Sequence, residues 1–198
     1  MDNNNSVNDC IQLCNMLRDD MNSYDGILIG LGTELFKSSN TDIDDTLNKL
    51  AVYLEHKNYF IISSVKNDVL RKSSINQKRI VCPYLSADEF PDNSDSDNEN
   101  EDTDNVNVIT EERQWNLYNK WLSGTLAKKL LVIEIGEGFN NPNLIKWPFE
   151  RIVMINDKAR FYRIHSMFYQ IPPEIKDKSV TYKKNSYEVL KTLVNIVK

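Results

Sequence analysis

Residues 128–142 read KKLLVIEIGEGFNNP, and inside them the apolar run Leu130 to Ile135 ends in Gly136-Glu137-Gly138. A run this short, rich in branched residues and interrupted only by Glu134, has the pattern of a strand buried on both faces of a parallel sheet. Glycines at 136 and 138 let the following turn take backbone angles that other residues resist, and they let its amides approach a ligand closely. A strand-to-glycine junction is where open α/β sheets bind their ligands. A plain turn is the competing explanation of a lone Gly-x-Gly.

The same signature recurs along the chain. Tyr24 to Ile29 forms an apolar run that enters Gly30-Leu31-Gly32. Tyr59 to Ile62 reads as a buried strand ending in the polar SSVKND of Ser63 to Asp68. Arg151 to Ile155 reads as a strand stopping at Asn156-Asp157, Arg79 to Tyr84 as a short strand, and Ser179 to Lys183 as the last one. Between them lie helical patterns. Ser6 to Asn22 is amphipathic, with Val7, Ile11, Cys14 and Leu17 at helical spacing. Thr41-Asp-Ile-Asp44 resembles a capping box before Ile43, Leu47, Leu50, Ala51 and Leu54 on one face. A helix opens at Thr110-Glu-Glu112 with Trp115, Tyr118, Leu122 and Leu126 on a face. A short one follows Asn140-Asn-Pro142 and ends near Trp147-Pro148, and Tyr187 to Val197 closes the chain. Strand and helix signals alternate, so the expected architecture is a Rossmann-like α/β fold, a parallel sheet covered by helices, forming a single domain over residues 1–198. Its strand tips, Gly30 to Gly32, Ser63-Ser64, Gly136 to Gly138 and Asn156-Asp157, are expected to gather at the carboxyl edge of one sheet.

Composition bounds the rest. The chain has 198 residues, 40% of them hydrophobic, enough for one core. No run approaches the roughly 18–20 apolar residues of a membrane helix, and the polar start MDNNNSVNDC has no signal-peptide blocks, so a cytoplasmic location is the expectation. Cys10, Cys14 and Cys82 cannot all pair. The first two read as small hydrophobes on a helix face, and Cys82 reads as a buried thiol with no histidine near it in sequence. With only His56 and His165, and no paired CxxC elements, no zinc is expected. The net charge of -5 is uneven: residues 88–104 carry nine acids and no base, which leaves 20 acids against 24 bases elsewhere. Residues 88–109 are therefore expected to be a disordered acidic surface insertion, either a solvated spacer or a contact for a basic protein partner. No basic stripe with interleaved aromatics argues for nucleic acid.

Taken together, these pieces resemble the sirtuin family, in particular the bacterial sirtuin-like branch that lacks the usual zinc module. DGILIGLGTELF sits where that family has a strand and a glycine-rich phosphate loop, and NYFIISSVKND where it has a strand and a Thr-Asn-x-Asp signature. LLVIEIGEGFNNPNLIKWPFERI matches the region around the ribose and phosphates. VMIND falls where a strand ends in an Asn against the adenosine half, and NSYEVLKTLV resembles the last helix. The resemblance implies a nucleotide site for NAD or ADP-ribose built from Gly30, Gly32, Thr33, Ser63, Gly136, Glu137, Gly138, Asn156 and Asp157.

The departures from the family pattern are specific. Glu34 stands where the phosphate loop has a small residue; a carboxylate about 4 Å from a phosphate at an effective dielectric near 20 costs roughly 4 kcal/mol. In direct register Val65 and Asn67 replace the Asn and Asp of the signature, while a two-residue slip offers Asn67 and Asp68 as catalytic candidates. The family's general base, a His followed by Gly, has no counterpart in IVCPYLSADEF. His56 is read as capping a helix, and His165 lies far along the chain. Arg160-Phe-Tyr-Arg163 reads as an amphipathic connector with snorkelling cations, and Trp147 and Phe149 as core or pocket wall. The expectation is a sirtuin-like NAD or ADP-ribose binder that has lost deacylase chemistry. The alternatives are an active NAD-consuming enzyme (ADP-ribosyltransferase, deacylase or NAD hydrolase) using atypical residues such as Asn67, Asp68 or Glu137, and a non-enzymatic interaction module.

Overall fold

A computed structural model of the chain describes residues 3–37, 42–65, 68–83 and 111–196. Its elements run α1 (Asn3–Ser23), β1 (Gly26–Leu31), α2 (Ile43–Leu54), β2 (Tyr59–Ser63), α3 (Asp68–Lys72), β3 (Ile80–Val81), α4 (Glu111–Ser123), β4 (Leu130–Ile135), α5 (Lys146–Ile155), β5 (Arg160–Ile164), β6 (Ser179–Tyr182) and α6 (Ser186–Ile196). Short 3₁₀ turns at Gln77–Arg79 and Pro173–Lys178 lead into β3 and β6.

The six strands form one sheet in the order β3-β2-β1-β4-β5-β6, and every neighbouring pair is parallel. This is the Rossmann-like order, in which the chain builds outward from β1 in one direction, returns to the centre, and builds outward in the other. The α/β expectation is met. The direction reverses between β1 and β4, which pair from Gly26 with Leu130 through Leu31 with Ile135. Both strands are buried at every position, which is why their sequences are continuous apolar runs rather than alternations.

Alternate side chains feed two cores. On one face Ile27, Ile29, Leu31, Leu131, Ile133, Ile135, Tyr162 and Ile164 meet α1, α2 and α6 through residues such as Leu17, Leu47, Leu50, Leu190 and Leu193. On the other, Leu28, Phe60, Val132 and Phe161 meet α4 and α5 through Tyr118, Phe149 and Val153. Gly30 belongs to this second face. A Cβ there would stand 2.6 Å from Ile145 Cγ2 and 2.8 Å from Phe149 Cε2, so this glycine lets α5 seat against the sheet.

The structure corrects the sequence reading at one large point. Residues 151–155 are not a strand but the second half of α5, and the true strand β5 is Arg160–Ile164, the stretch read as an amphipathic connector. Pro148 misleads because it resembles a helix stop. It lies in the first turn of α5, where a missing N–H leaves no helical bond unmade. Smaller shifts follow the same logic. Asp42, not Thr41, precedes α2, and its side chain pairs with Lys191 instead of capping. On α1 the buried side is Leu13, Cys14, Leu17 and Met21, leaving Ile11 exposed. Leu126 lies beyond α4 and is exposed. His56 sits in the exposed turn after α2. Thr41, Asn67 and the acidic stretch 88–109 lie outside the described residues. No helix among those described is long and apolar enough to cross a membrane.

Candidate functional site at the sheet reversal

The turns leaving β1 and β4 are locked backbone to backbone. Gly32 N donates to Ile135 O at 2.9 Å, and Glu34 N donates to Gly136 O at 3.0 Å. A Cβ on Gly32 would lie 2.3 Å from both Glu137 Cα and Gly136 O, a contact only glycine allows. Gly136 has a φ of +73°, the left-handed region that glycine enters freely, and Ser186 Oγ closes over it. The close fit leaves some donors unused. The amides of Thr33, Glu137 and Gly138 make no hydrogen bond among the described residues, although Glu137 and Gly138 are buried. Unpaired amides converging where a parallel sheet reverses are the usual receiver of an anionic ligand.

Glu137 crosses the end of β1 to reach the tip of β2. Ser64 Oγ donates to Glu137 Oε2 at 2.5 Å, and Ser64 N is itself held by Leu31 O at 3.0 Å. Glu137 is 2% exposed, and burial pushes its carboxyl up to about 7, with nearby Glu134 adding to the rise and the Ser64 hydrogen bond, Lys146 and Arg163 opposing it. Beneath it lies a buried ion network. Glu134 Oε1 accepts from Lys146 Nζ at 3.0 Å, Glu134 Oε2 from Arg163 Nη2 at 2.8 Å, and Arg163 also reaches Glu150 at 2.8 Å and Gln170 O at 2.5 Å. Glu134 breaks its apolar strand because its register partner on β5 is Arg163. Each buried charge there has a partner, as burial requires.

Glu34, on the turn after β1, is not a free carboxylate. It is buried, accepts the Ser186 amide at 3.1 Å, and is bonded by the amide and hydroxyl of Ser166. Burial alone raises its pKa, but the bonds from Ser166 and Ser186 outweigh that and hold the carboxyl below the usual range. His165, at the carboxyl end of β5, lies 3.7 Å from Glu34 through Nδ1. That nitrogen accepts the amides of Met167 and Phe168 at 2.9 and 3.1 Å, so it carries no proton and the contact is not an ion pair. Burial also lowers the imidazole pKa, only partly offset by Glu34. Phe168 lies 4.9 Å from His165 with the rings tilted by 50° and meets the exposed Phe139 edge-on at 5.2 Å, forming an aromatic lip beside Gly138.

The sequence-read residues therefore separate. Gly32, Thr33, Ser63, Gly136, Glu137 and Gly138 come together at the carboxyl edge of β1, β2 and β4. Ser63 is buried and folds back on Val65, so its neighbour Ser64 is the side chain that faces Glu137. Gly30 lies inside β1 under α5. Asn156 and Asp157 fall at the opposite, amino edge: Asn156 ends α5 and donates to Lys128 O, just before β4, at 3.2 Å, and Asp157 is exposed. The residue at the tip of β5 is His165 instead. Asp68 is exposed at the start of α3. Cys82 is buried after β3, with its thiol on Val65 O. The sequence reading passed over the partnership of Glu134 with Lys146 and Arg163. The signal for it was a lone acid in a buried strand, which demands buried bases. Among the described residues no group of three His, Cys, Asp or Glu is placed to hold a metal ion. A concavity of about 610 Å³ lies along α5, lined by Trp147, Arg151, Met154, Ile155, Pro172 and Glu174.

No family model matches the sequence. A curated protein of Staphylococcus aureus (strain Mu50 / ATCC 700699), named protein ADP-ribosyltransferase, is 25% identical over 117 residues, covering 58% of this chain and 37% of the relative. The chain thus matches little more than a third of that relative's length.

Proposed function

We propose that the chain binds NAD or ADP-ribose in the crevice between β1 and β4. The observation that carries this reading is the set of unpaired amides of Thr33, Glu137 and Gly138, gathered by two interlocked glycine turns where the sheet order reverses. A pyrophosphate is the ligand group that such donors suit, since it presents several acceptor oxygens to backbone N–H groups that have no other partner. The withdrawal of Glu34 beneath α6 fits the same ligand, because its carboxylate is spent on Ser166 and Ser186. In this reading the aromatic lip of Phe139 and Phe168 walls the crevice. The distant relative named as an ADP-ribosyltransferase adds support from a protein whose name involves the same nucleotide.

The same proposal takes the chain as a divergent relative of the zinc-less sirtuin-like enzymes that does not perform deacylation. What supports it is the segment after β3, Cys82-Pro83, which supplies no histidine, and the position of His165 at the tip of β5 with Nδ1 already committed to two amides. General base chemistry needs a titratable group within hydrogen-bond reach of the acceptor. Calorimetric titration of the full chain with NAD and with ADP-ribose tests the binding: saturable heat is expected, and its absence at millimolar ligand overturns the reading.

A second reading, an NAD-consuming transferase, is favoured by one observation, the buried carboxyl of Glu137 in the crevice. A fixed carboxylate in a water-poor site can stabilise the positive charge that develops on ribose when nicotinamide leaves. Incubation with NAD and detection of free nicotinamide separates the two. Release that is lost in both Gly136→Asp and Glu137→Gln favours the transferase, whereas no release alongside binding favours the binder.

A further inference from the structure

Glu137 presents an apparent conflict within the crevice. Its carboxyl is bonded across the turns to Ser64, and its own amide is among the three donors unpaired among the described residues. A glutamate carboxyl is four covalent bonds from its own amide nitrogen, so the two stay within about 5 Å of each other. An ionised carboxylate there repels any anion that the amides receive, and the low dielectric of a buried site strengthens the repulsion. A protonated carboxyl does the opposite, because its O–H is a donor.

We propose that the crevice is a proton-linked anion site: a phosphate-bearing ligand is received by the amides of Thr33, Glu137 and Gly138 together with the neutral Glu137 carboxyl, whose O–H on Oε1 donates to the ligand. This rests on the nucleotide reading and specifies the protonation state in which the site accepts it. The geometry carries it in three respects. Oε2 is occupied by the Ser64 hydroxyl at 2.5 Å, which leaves Oε1 without a partner among the described residues. The residue is 2% exposed, so water screens it poorly. Among the described residues no cation is bonded to it, because the nearby bases are committed elsewhere: Lys146 to Glu134 at 3.0 Å, and Arg163 to Glu134 and Glu150 at 2.8 Å each.

The groups that face Glu137 come from every neighbouring element. Ser64 lies at the tip of β2, Glu134 on β4, Lys146 on α5 and Arg163 on β5. Glu34, on the β1 turn, is spent on Ser166 and Ser186. His165, beyond β5, holds Nδ1 unprotonated against two amides and titrates below its ordinary range. Lys66, beyond Ser64, lies outside the described residues. Burial places the free carboxyl at about 7, and an anion alongside raises it further. Binding therefore takes up a proton above neutrality.

The test is calorimetric titration of the full chain with ADP-ribose at pH 6.5, 7.5 and 8.5, each in two buffers of different ionisation enthalpy, for the wild type and Glu137→Gln. The pyrophosphate of this probe does not titrate in that window. Wild-type affinity is expected to fall about twentyfold from pH 6.5 to 8.5 with uptake of close to one proton at the upper end, and the glutamine variant to bind equally at all three. Wild-type binding that is level with pH and takes up no proton overturns the proposal and leaves the nucleotide reading standing, as does the same fall in the variant. No binding by either protein at any pH overturns both. If the variant does not fold, the buffer dependence of the wild type decides alone.

Discussion

Glu34 Oε2 accepts the backbone amide of Ser186 at 3.1 Å, so a carboxylate on the turn after β1 caps the first residue of α6, 152 positions away in sequence. A helix leaves its first amides without intrahelical partners and carries partial positive charge at that end, which a buried carboxylate answers on both counts. Glu34→Gln is expected to cost about 2–3 kcal/mol in urea denaturation at pH 7. The pH dependence follows from the lowered carboxyl. Its stabilisation is fully present above the unfolded-state carboxylate pKa and is lost as pH falls through the lowered folded-state value. The gap between wild type and variant should close in acid.

Glu137 has the opposite sign. Its folded-state carboxyl stands at about 7 against an ordinary value of 4.5, so the folded chain holds a proton that the unfolded chain has released. The contribution of this group to stability is therefore fully present below about pH 4.5 and is lost as pH rises to about 7, by roughly 3 kcal/mol for a shift of this size. Glu137→Gln, which still accepts from Ser64, is expected to flatten that slope and to be the more stable protein at pH 8. A melting-temperature series from pH 5 to 8 checks it, and a wild type that stabilises steadily towards pH 8 contradicts it.

Two glycines on one strand end should respond differently to a methyl group. At Gly30 the added Cβ meets side chains, Ile145 and Phe149, which can turn slightly, so Gly30→Ala should cost about 1–3 kcal/mol and leave ADP-ribose affinity unchanged. At Gly32 it meets the backbone of Gly136 and Glu137 at 2.3 Å, which cannot turn aside. Gly32→Ala should spread the two turns and remove binding. Parallel unfolding and titration measurements on the pair test this.

Asn156 provides a control at the other edge of the sheet. It donates to Lys128 O at 3.2 Å and accepts from Lys158 N at 2.9 Å, tying the end of α5 to the entry of β4. Asn156→Ala should lose about 1–2 kcal/mol of stability and bind ADP-ribose as the wild type does. Loss of binding in a folded Asn156→Ala protein would contradict the placement of the crevice at the carboxyl edge.

The sequence made β1, β2 and β4 legible because strands buried on both faces must be apolar throughout, and no helix of that length fits between their turn signals. It misrepresented the pair α5 and β5 for the converse reason. The end of α5, Arg151 to Ile155, has the branched apolar composition of a strand, with Met154 and Ile155 exposed in the fold. β5 carries two arginines, and Arg163 is buried only because Glu134 and Glu150 wait for it from other elements. Pairing across elements is invisible to local periodicity. For the site, the glycine turns could be read directly, whereas the direction of Glu34 and the reach of Glu137 to Ser64 depend on how the turns interlock.

The sheet order also makes the molecule a thing of two pieces. Strands β3, β2 and β1 come from the first part of the chain and β4, β5 and β6 from the last, and among the described residues the strand seam between them is β1 against β4. Helix α6 bridges that seam by resting on α1 and α2, and the turns after β1 and β4 meet at its first residue, Ser186. A guest seated there grips both pieces at once, so its arrival should register as cohesion: if the chain were cleaved between residues 84 and 110, the halves should hold together more tightly with the crevice filled than empty.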